Sequence, residues 1–338
     1  MERLCASELF NFLEASPTLR AVDIVFSDTW LEDIAQRKAI VLPNVQTLSL
    51  AVEDCGPIYE LIAHISCPSV ARTSLIHKNQ LYPADTIHAI RDMFPTAALW
   101  DTIVHQYTRS PIEAVVFYTK IHEDPTISCT FAFRCSDATL ISLSFEISYA
   151  IIISSEEDEP RLLWEEVVSE IFSESFRVVQ NHPLLSGIKH LHILNDTPTL
   201  EARELRYMPY EVRELFESMG PLEGLTLHGC DLHPYLTPFL TDFPDFEEIE
   251  QAITYPPVKE LTILHPLIDV DLGDCMEAIV KLAKSQHALG VPFERVTVRA
   301  EELPTEMEEE LKPWVGVVDC CKERYASPSR ECLVSSAV

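Results

Sequence analysis

Apolar residues recur along this chain in one short pattern, apolar-x-x-apolar-x-apolar. The alternation in its last three positions is typical of a β-strand with one buried face. The clear copies are Leu19/Val22/Ile24, Val45/Leu48/Leu50, Ile112/Val115/Phe117, Leu140/Leu143/Phe145, Ile188/Leu191/Ile193, Leu222/Leu225/Leu227, Val258/Leu261/Ile263 and Phe293/Val296/Val298. Two degraded copies are Val70/Thr73/Leu75 and Trp314/Val317/Asp319. The pattern therefore predicts a series of short strands spread along the chain.

The residues around these copies favour strands that alternate with helices. Most copies lie one or two residues after a proline, as Val45 follows Pro43. A proline is tolerated at the start of a strand and stops the helix before it. Residues 4–16 and 274–290 have the apolar spacing of helices, and Gly290 suits a helix C-terminus. We therefore expect helix, proline stop, strand and loop in repeated order.

Strands that alternate with single helices pair in parallel, and such a unit must stack on its neighbours to bury its apolar face. The predicted fold is α/β: an irregular leucine-rich-repeat-like solenoid with a parallel sheet on one face and helices on the other. We assign residues 1–320 to this domain, with an irregular or inserted region at about 146–187, and residues 321–338 to a flexible C-terminal tail. A compact, doubly wound α/β domain is the alternative, but the chain has only 8 glycines and none in a GxGxxG arrangement.

Charge and composition narrow the classes of partner. Acidic residues outnumber basic ones by 54 to 25, a formal net charge of −29, so we expect no binding to a nucleic-acid phosphate backbone. The chain shows neither a secretory signal nor the run of about 18 apolar residues that spans a membrane. Its 10 cysteines are then expected to be reduced and mostly buried. We expect a cytoplasmic or nuclear protein that binds no membrane.

The polar positions inside each copy indicate where a partner would bind. The apolar positions face the core, so the third and fifth positions lie on the opposite face of the sheet. Small hydroxyl residues are common there, although such side chains also simply fit a parallel sheet. For contact with a protein partner we single out Arg72, His190, His192, Glu260, Thr262 and Arg295.

Motifs for catalysis and for metal binding are lacking. His190 and His192 lie two apart on one predicted strand, but Glu260 is two repeats away and Cys230 is in a loop, so we expect no metal site. The sequence contains no GxSxG and no HExxH. We therefore expect a protein that is not an enzyme and that needs no cofactor.

Some longer stretches of this chain add a resemblance to a known family. They are FLEASPTLRAVDI, VLPNVQTLSL, RSPIEAVVFY, PPVKELTILH and the ending LAKSQHALGVPFERVTV…LKPWVGVVD, and they fall within about residues 8–319. Together they resemble the large, divergent group of fungal F-box proteins with leucine-rich-repeat-like C-terminal regions. The resemblance implies that the repeats hold a substrate, while an N-terminal F-box docks on the Skp adaptor of a cullin ubiquitin ligase.

The N-terminal end departs from that family, because the chain starts directly in the helix of the first repeat. Either the chain is truncated at this end, or it is a paralogue without the docking module. The leading hypothesis is a non-enzymatic recognition module, the substrate-receptor part of an F-box-type adaptor. Its partners would be a protein substrate and, only if an upstream F-box exists, the Skp adaptor. A free-standing leucine-rich-repeat scaffold without ligase attachment and a compact α/β enzyme are the alternatives.

Overall fold

The computed structural model describes residues 6–27, 38–53, 58–81, 102–103, 105–108, 110–121, 126–149, 174, 187–196, 219–229, 257–265, 272–300 and 306–323. The chain forms two compact units. We call them the N-terminal unit (Met1–Glu113 and Ile121–His182) and the C-terminal unit (Ala114–Lys120 and Pro183–Val338). Both combine helices with mostly parallel strands, which confirms the predicted α/β class.

The described strands are β1 (Ala21–Ser27), β2 (Ile40–Val41), β3 (Thr47–Glu53), β4 (Ile65–Ser66), β5 (Arg72–Leu81), β6 (Ile112–Ile121), β7 (Thr126–Cys135), β8 (Leu140–Tyr149), β9 (His190–Asp196), β10 (Leu222–His228), β11 (Val258–Leu264), β12 (Arg295–Ala300) and β13 (Val317–Lys322). The described helices are α1 (Ala6–Glu14), α2 (Ile58–Ala63), α3 (Leu272–Ala288) and α4 (Met307–Leu311). None of these helices has both the length and the apolar character needed to cross a membrane.

Strand pairing is mostly parallel in each unit. In the N-terminal unit the described strands lie in the order β1-β3-β5-β8-β7, with β7–β8 paired antiparallel and the other neighbours paired in parallel. Strands β2 and β4 form a separate two-stranded parallel sheet. In the C-terminal unit, residues Ala114–Lys120 of β6 begin a parallel series in the order β6-β9-β10-β11-β12-β13.

The central apolar residues of the sequence pattern lie in register across neighbouring strands. In the N-terminal unit, Val22 is the register partner of Leu48. In the C-terminal unit the matching row is Leu191, Leu225, Leu261 and Val296. All of these side chains are buried. Full burial of a Leu or Val side chain contributes roughly 1.5–3 kcal/mol, so a slip in register would be costly.

The prolines before three strands of the N-terminal unit occupy equivalent turns. Each is the second residue of a turn in which the fourth N–H donates to the first carbonyl, a position that proline favours. The donor and acceptor pairs are Leu19 to Ser16 (3.2 Å), Val45 to Leu42 (3.4 Å) and Val70 to Cys67 (3.1 Å). Asn44 Nδ2 also donates to the Pro17 carbonyl at 2.8 Å, which ties the second of these turns to the first.

Strand entry follows one backbone pattern in both units. The Arg20 carbonyl accepts from the N–H groups of Gln46 (2.7 Å) and Thr47 (3.3 Å). In the C-terminal unit, the Lys189 carbonyl accepts from Glu223 (2.7 Å) and Gly224 (3.0 Å) in the same way. The acceptor lies two residues before the central apolar residue of its strand in each case, so the two units share a local design at this point.

The helices predicted at 4–16 and 274–290 are present as α1 and α3. Gly290 has φ +77° just after α3, in the left-handed region that glycine adopts most easily. The Gly290 N–H donates to the His287 carbonyl and the Val291 N–H to the Gln286 carbonyl, both at 3.0 Å. These two bonds form a Schellman motif, which satisfies the last carbonyls of the helix.

Strand β7 was not predicted, and it forms an antiparallel hairpin with β8. The connection from Cys135 to Thr139 is a tight turn in which the Ala138 N–H donates to the Cys135 carbonyl at 2.9 Å. So short a connection can join only antiparallel strands, because a parallel crossover needs a dozen or more residues. The repeated order of helix and strand that the sequence predicts is therefore interrupted between β7 and β8.

The last degraded copy is shifted by one residue from its predicted alignment. Val318 and Cys320 are the register partners of the buried Val296 and Val298. Val317 and Asp319, which were predicted to face the core, are exposed on the opposite side. A one-residue slip moves every side chain of a strand to the other face, and this register keeps the Asp319 carboxylate in water.

Two polar side chains occupy core positions of β5. Thr73 is fully buried between its register partners Leu48 and Ile141, and its Oγ1 has no hydrogen-bond partner among the residues that the structure describes. His77 is also buried, with its ring 5.2 Å from that of Tyr59 and 5.4 Å from that of Phe145. Its Nε2 likewise has no partner. Unpaired polar groups of this kind are destabilising in a core.

Parts of the predicted domain division lie outside the described residues. Strand β13 continues to Lys322, past the predicted boundary at residue 320. Residues 324–338 of the predicted tail are not among the residues described. The same holds for most of the predicted irregular region 146–187.

Candidate partner-binding face

Side chains at alternate positions of β9–β13 form one surface of the C-terminal unit. The first row across the strands is His190, Gly224, Glu260, Arg295 and Val317. The second row is His192, Thr226, Thr262, Thr297 and Asp319. We call these two rows the outer face. They alternate with the buried apolar residues of the same strands, as the period of two requires.

The outer face brings together all the predicted partner-binding residues except Arg72. Glu260 and Arg295 are register partners in its first row, and Thr262 stands beside them in the second. His190 and His192 begin the two rows on β9. Arg72 lies in the N-terminal unit, where it is exposed at the start of β5 between its register partners Thr47 and Leu140. Sequence alignment of the copies therefore located one continuous polar surface.

Not every position predicted to face a partner is accessible. Ala114 and Val116 on β6 are buried, as are Ser142 and Ser144 on β8. The Ser144 hydroxyl is 3.1 Å from that of Thr130. Period-two alternation assigns a side chain to one side of the sheet but does not reveal whether that side is covered, so these positions are corrected from partner-facing to buried.

The polar side chains in the middle of the outer face have no internal partner within the described part of the chain. Glu260 and Arg295 are exposed, and Thr262 is half-buried. Considering the described residues alone, none of the three side chains takes part in a hydrogen bond or an ion pair. An ion pair between neighbours of opposite charge would have been the simplest internal use of these groups. Their hydrogen-bonding capacity is instead available to another molecule.

The two histidines at the β9 end of the face form a stacked pair. Their ring centroids are 6.4 Å apart, with an angle of 22° between the ring planes. His190 Nε2 lies 3.9 Å from Glu223 Oε2, and Lys189 Nζ lies 3.8 Å from Glu223 Oε1. These groups are about half exposed, so such contacts contribute little to stability.

Gly224 is the residue of this site that sequence reasoning did not single out. A Cβ atom added to it would lie 2.8 Å from Nδ1 of His190. The His190 ring therefore leans over β10 and occupies the space that a side chain at 224 would need. A glycine inside a strand is an unfavourable choice unless another group approaches closely, and that signal was present in a chain with only 8 glycines.

The charge of the outer face differs from that of the chain as a whole. Its carboxylates are Glu260 and Asp319, and its permanent cation is Arg295. Arg299, which follows on β12, forms an ion pair with Glu323 at 3.2 Å. This near balance contrasts with 54 acidic against 25 basic residues in the whole chain. The outer face itself is thus nearly neutral, whereas the chain as a whole is strongly acidic.

The described residues of the outer face form no metal-binding cluster, and the buried cysteines lie in the N-terminal unit. Among the residues that the structure describes, no group of three or more His, Cys, Asp and Glu side chains could hold a metal ion. Cys230 lies outside the described residues. Cys67, Cys129 and Cys135 are buried, as expected, whereas Cys320 is half-buried and Cys321 is exposed. Burial raises the pKa of Cys67 to about 12, which keeps this thiol neutral and unreactive.

Comparison with known proteins leaves the function to be argued from this geometry. No family model matches the chain. Searches among curated proteins and among solved structures likewise found no match.

Proposed function

We propose that this protein is a non-enzymatic protein-recognition module, and that the outer face binds its partner. The observation that carries the proposal is the pairing of Glu260 with Arg295 in one exposed row, with no internal use of either side chain among the described residues. Hydrogen-bonding groups held on a rigid sheet and left unsatisfied by the protein are suited to orient a partner.

The finer architecture that we propose is an irregular, leucine-rich-repeat-like solenoid. Three features support it: the in-register apolar rows, the equivalent proline turns, and the backbone pattern shared by the Arg20 and Lys189 carbonyls. A unit that recurs with the same strand entry and the same apolar row buries its core against its neighbours, as stacked repeats do. The unpredicted β7–β8 hairpin would be an insertion into that series.

The resemblance to fungal F-box proteins suggests a more specific role. In that role the outer face would hold a substrate protein for a cullin ubiquitin ligase, in the cytoplasm or the nucleus. Attachment to the ligase would need an F-box upstream of the first repeat. Without one, the same face would serve a free-standing scaffold.

A crosslinking experiment tests the binding role. The full chain and two variants are crosslinked in extracts and their partners identified by mass spectrometry. Thr262→Arg places a long cation in the middle of the outer face, whereas Glu277→Gln alters an exposed side chain on α3 and serves as the control. We expect partners that are lost with Thr262→Arg and retained with Glu277→Gln. If both variants retain every partner, the outer face is not the binding surface.

The same experiment separates the two settings of the module. Skp and cullin subunits recovered with the protein support the ligase-receptor role. Partners that depend on the outer face, recovered without Skp or cullin, support the free-standing scaffold. Turnover of a small molecule by the purified chain would contradict both and favour the enzyme alternative.

A further inference from the structure

The order of side chains in the first row of the outer face points to a particular kind of partner segment. We propose that the face binds a helical protein segment that presents a basic, an acidic and an apolar side chain, in that order, to Glu260, Arg295 and Val317. This inference rests on the proposed function, because it names the partner chemistry of the same face.

Charge complementarity sets the first two positions. Glu260 and Arg295 are register partners on adjacent strands, which lie about 4.8 Å apart. Both are exposed, and neither has a hydrogen-bond or ion-pair partner among the described residues. A partner with a cation opposite Glu260 and a carboxylate opposite Arg295 gains two ion pairs, whereas the reverse order places like charges in contact.

The apolar position follows from the next strand. Val317 is the register partner of Arg295 on β13, and it is 49% exposed, so it offers apolar surface immediately beside the guanidinium. On the other side of Glu260, Gly224 contributes no side chain, and the His190 ring covers the space above it. The charged pair is thus bordered by an apolar side chain at one end and by an imidazole at the other.

Spacing favours a helix over an extended peptide. The row from Glu260 to Val317 crosses two strand intervals, about 9.6 Å. A helix advances about 10.5 Å over seven residues, so side chains at i, i+3 or i+4, and i+7 match the row. An extended chain places its alternate side chains almost 7 Å apart and spans about 13 Å over the same three positions. The helix therefore fits without a gap.

The first row of the outer face distinguishes the charges of a partner only at short range. Glu260 and Arg295 are themselves opposite charges on adjacent strands, about 4.8 Å apart. Opposite charges this close largely cancel each other's fields at larger distances, and salt screens the remainder within about 8–10 Å. The order of charges is then detected by direct contact rather than by long-range attraction.

A peptide selection tests the inference. A phage library of random 16-residue peptides is selected on the full chain and on a Glu260→Arg plus Arg295→Glu variant, whose two exposed substitutions preserve the total charge. We expect basic, acidic and apolar residues at i, i+3 or i+4, and i+7 on the unmodified protein. On the Glu260→Arg plus Arg295→Glu variant, the selected peptides should carry the acidic residue first and the basic residue second. Each selected peptide should bind the other protein at least tenfold more weakly, and circular dichroism of both proteins should coincide.

Failure of this inference can be told apart from failure of the proposed function. Peptides that lose binding to Thr262→Arg but show no charge order, or the same order on both proteins, overturn the helical segment and leave the outer face as a binding surface. If selection yields no peptide that is sensitive to Thr262→Arg, both the inference and the proposed function are contradicted.

Discussion

A Cβ atom placed on Gly224 would lie 2.8 Å from Nδ1 of His190, so the imidazole ring occupies the space that a side chain at position 224 would need. This contact links a residue of low strand propensity to the orientation of a candidate partner-binding residue. It also shows that the shape of the face depends on an absent side chain.

We expect Gly224→Ala to displace the His190 ring without unfolding the protein. The methyl group meets a side chain that can rotate, and alanine is favoured over glycine in a strand by roughly 0.5–1 kcal/mol. The NMR signals of the His190 and His192 rings should shift, while the free energy of unfolding stays within about 1 kcal/mol of the original. The same substitution in a His190→Ala background is the control, because there the methyl group meets no ring. Equal stability changes in the two backgrounds would show that the contact does not exist.

Thr73→Val should stabilise the N-terminal unit. The Thr73 hydroxyl is buried and has no hydrogen-bond partner among the described residues, and removing an unsatisfied group of this kind stabilises the fold by about 1 kcal/mol or more. Thr130→Val is the matched control, since its hydroxyl lies 3.1 Å from that of Ser144 and its loss should destabilise the protein by about 1 kcal/mol. Urea titrations measure both changes, and a fall in stability for Thr73→Val would contradict the assignment.

His77 should make the protein less stable in mild acid. Burial lowers the pKa of His77 from 6.5 to about 4 in the folded state. Below pH 6.5 the His77 imidazole is therefore protonated in the unfolded chain but stays neutral in the folded chain. The free energy of unfolding falls as a result, until the pH reaches about 4. The loss attributable to this residue is about 3 kcal/mol.

Carboxylates also contribute to acid unfolding, so the acid loss of stability in the original protein does not isolate His77. The test is therefore whether that loss is smaller in a variant without His77. Urea titrations at pH 7 and pH 4.5 on the original protein and on His77→Phe should show a smaller acid loss in the variant. The phenyl ring keeps the stacking between Tyr59 and Phe145. His77→Leu provides a second test if phenylalanine does not fit. An unchanged acid loss in both variants would show that His77 is protonated freely in the folded protein.

The adjacent cysteines Cys320 and Cys321 of β13 should differ in reactivity. Cys321 is exposed on the side of Val317 and Asp319, whereas Cys320 is half-buried on the core side of β13. Burial, together with the negative charges of Glu308 and Asp319, raises the pKa of Cys320 to about 11. Maleimide labelling at pH 7.5, followed by mass spectrometry of the peptide that contains both residues, should find Cys321 modified first. If Cys320 in a Cys321→Ser variant were labelled as fast as Cys321 is in the original protein, this register of β13 would be contradicted.

The candidate face could be predicted from the sequence because the patterns that indicate strand faces and helix ends are local. The period of two assigned Glu260, Thr262 and Arg295 to the side opposite Leu261 and Val296, and the register of β11 and β12 agrees. Gly290 identified a helix end, where its left-handed backbone is now found. Signals of this kind depend on neighbouring residues in the chain, so one sequence is enough to detect them.

Other features depended on which parts of the chain meet in space. Ser142 and Ser144 follow the same alternation as Thr262, yet they are buried. Val317 was predicted to be buried but is exposed, because the pairing of β13 with β12 fixes its register. The space for the His190 ring is visible only when Gly224 stands next to it.

By itself, the sequence determined that short strands with one apolar side recur along this chain, since a period of two and a proline stop are properties of neighbouring residues. Only the tertiary structure decided which polar side is open, which strands pair antiparallel and which charges stand side by side. The physical reason is that burial and cross-strand spacing depend on residues distant in sequence, whose approach no local pattern records.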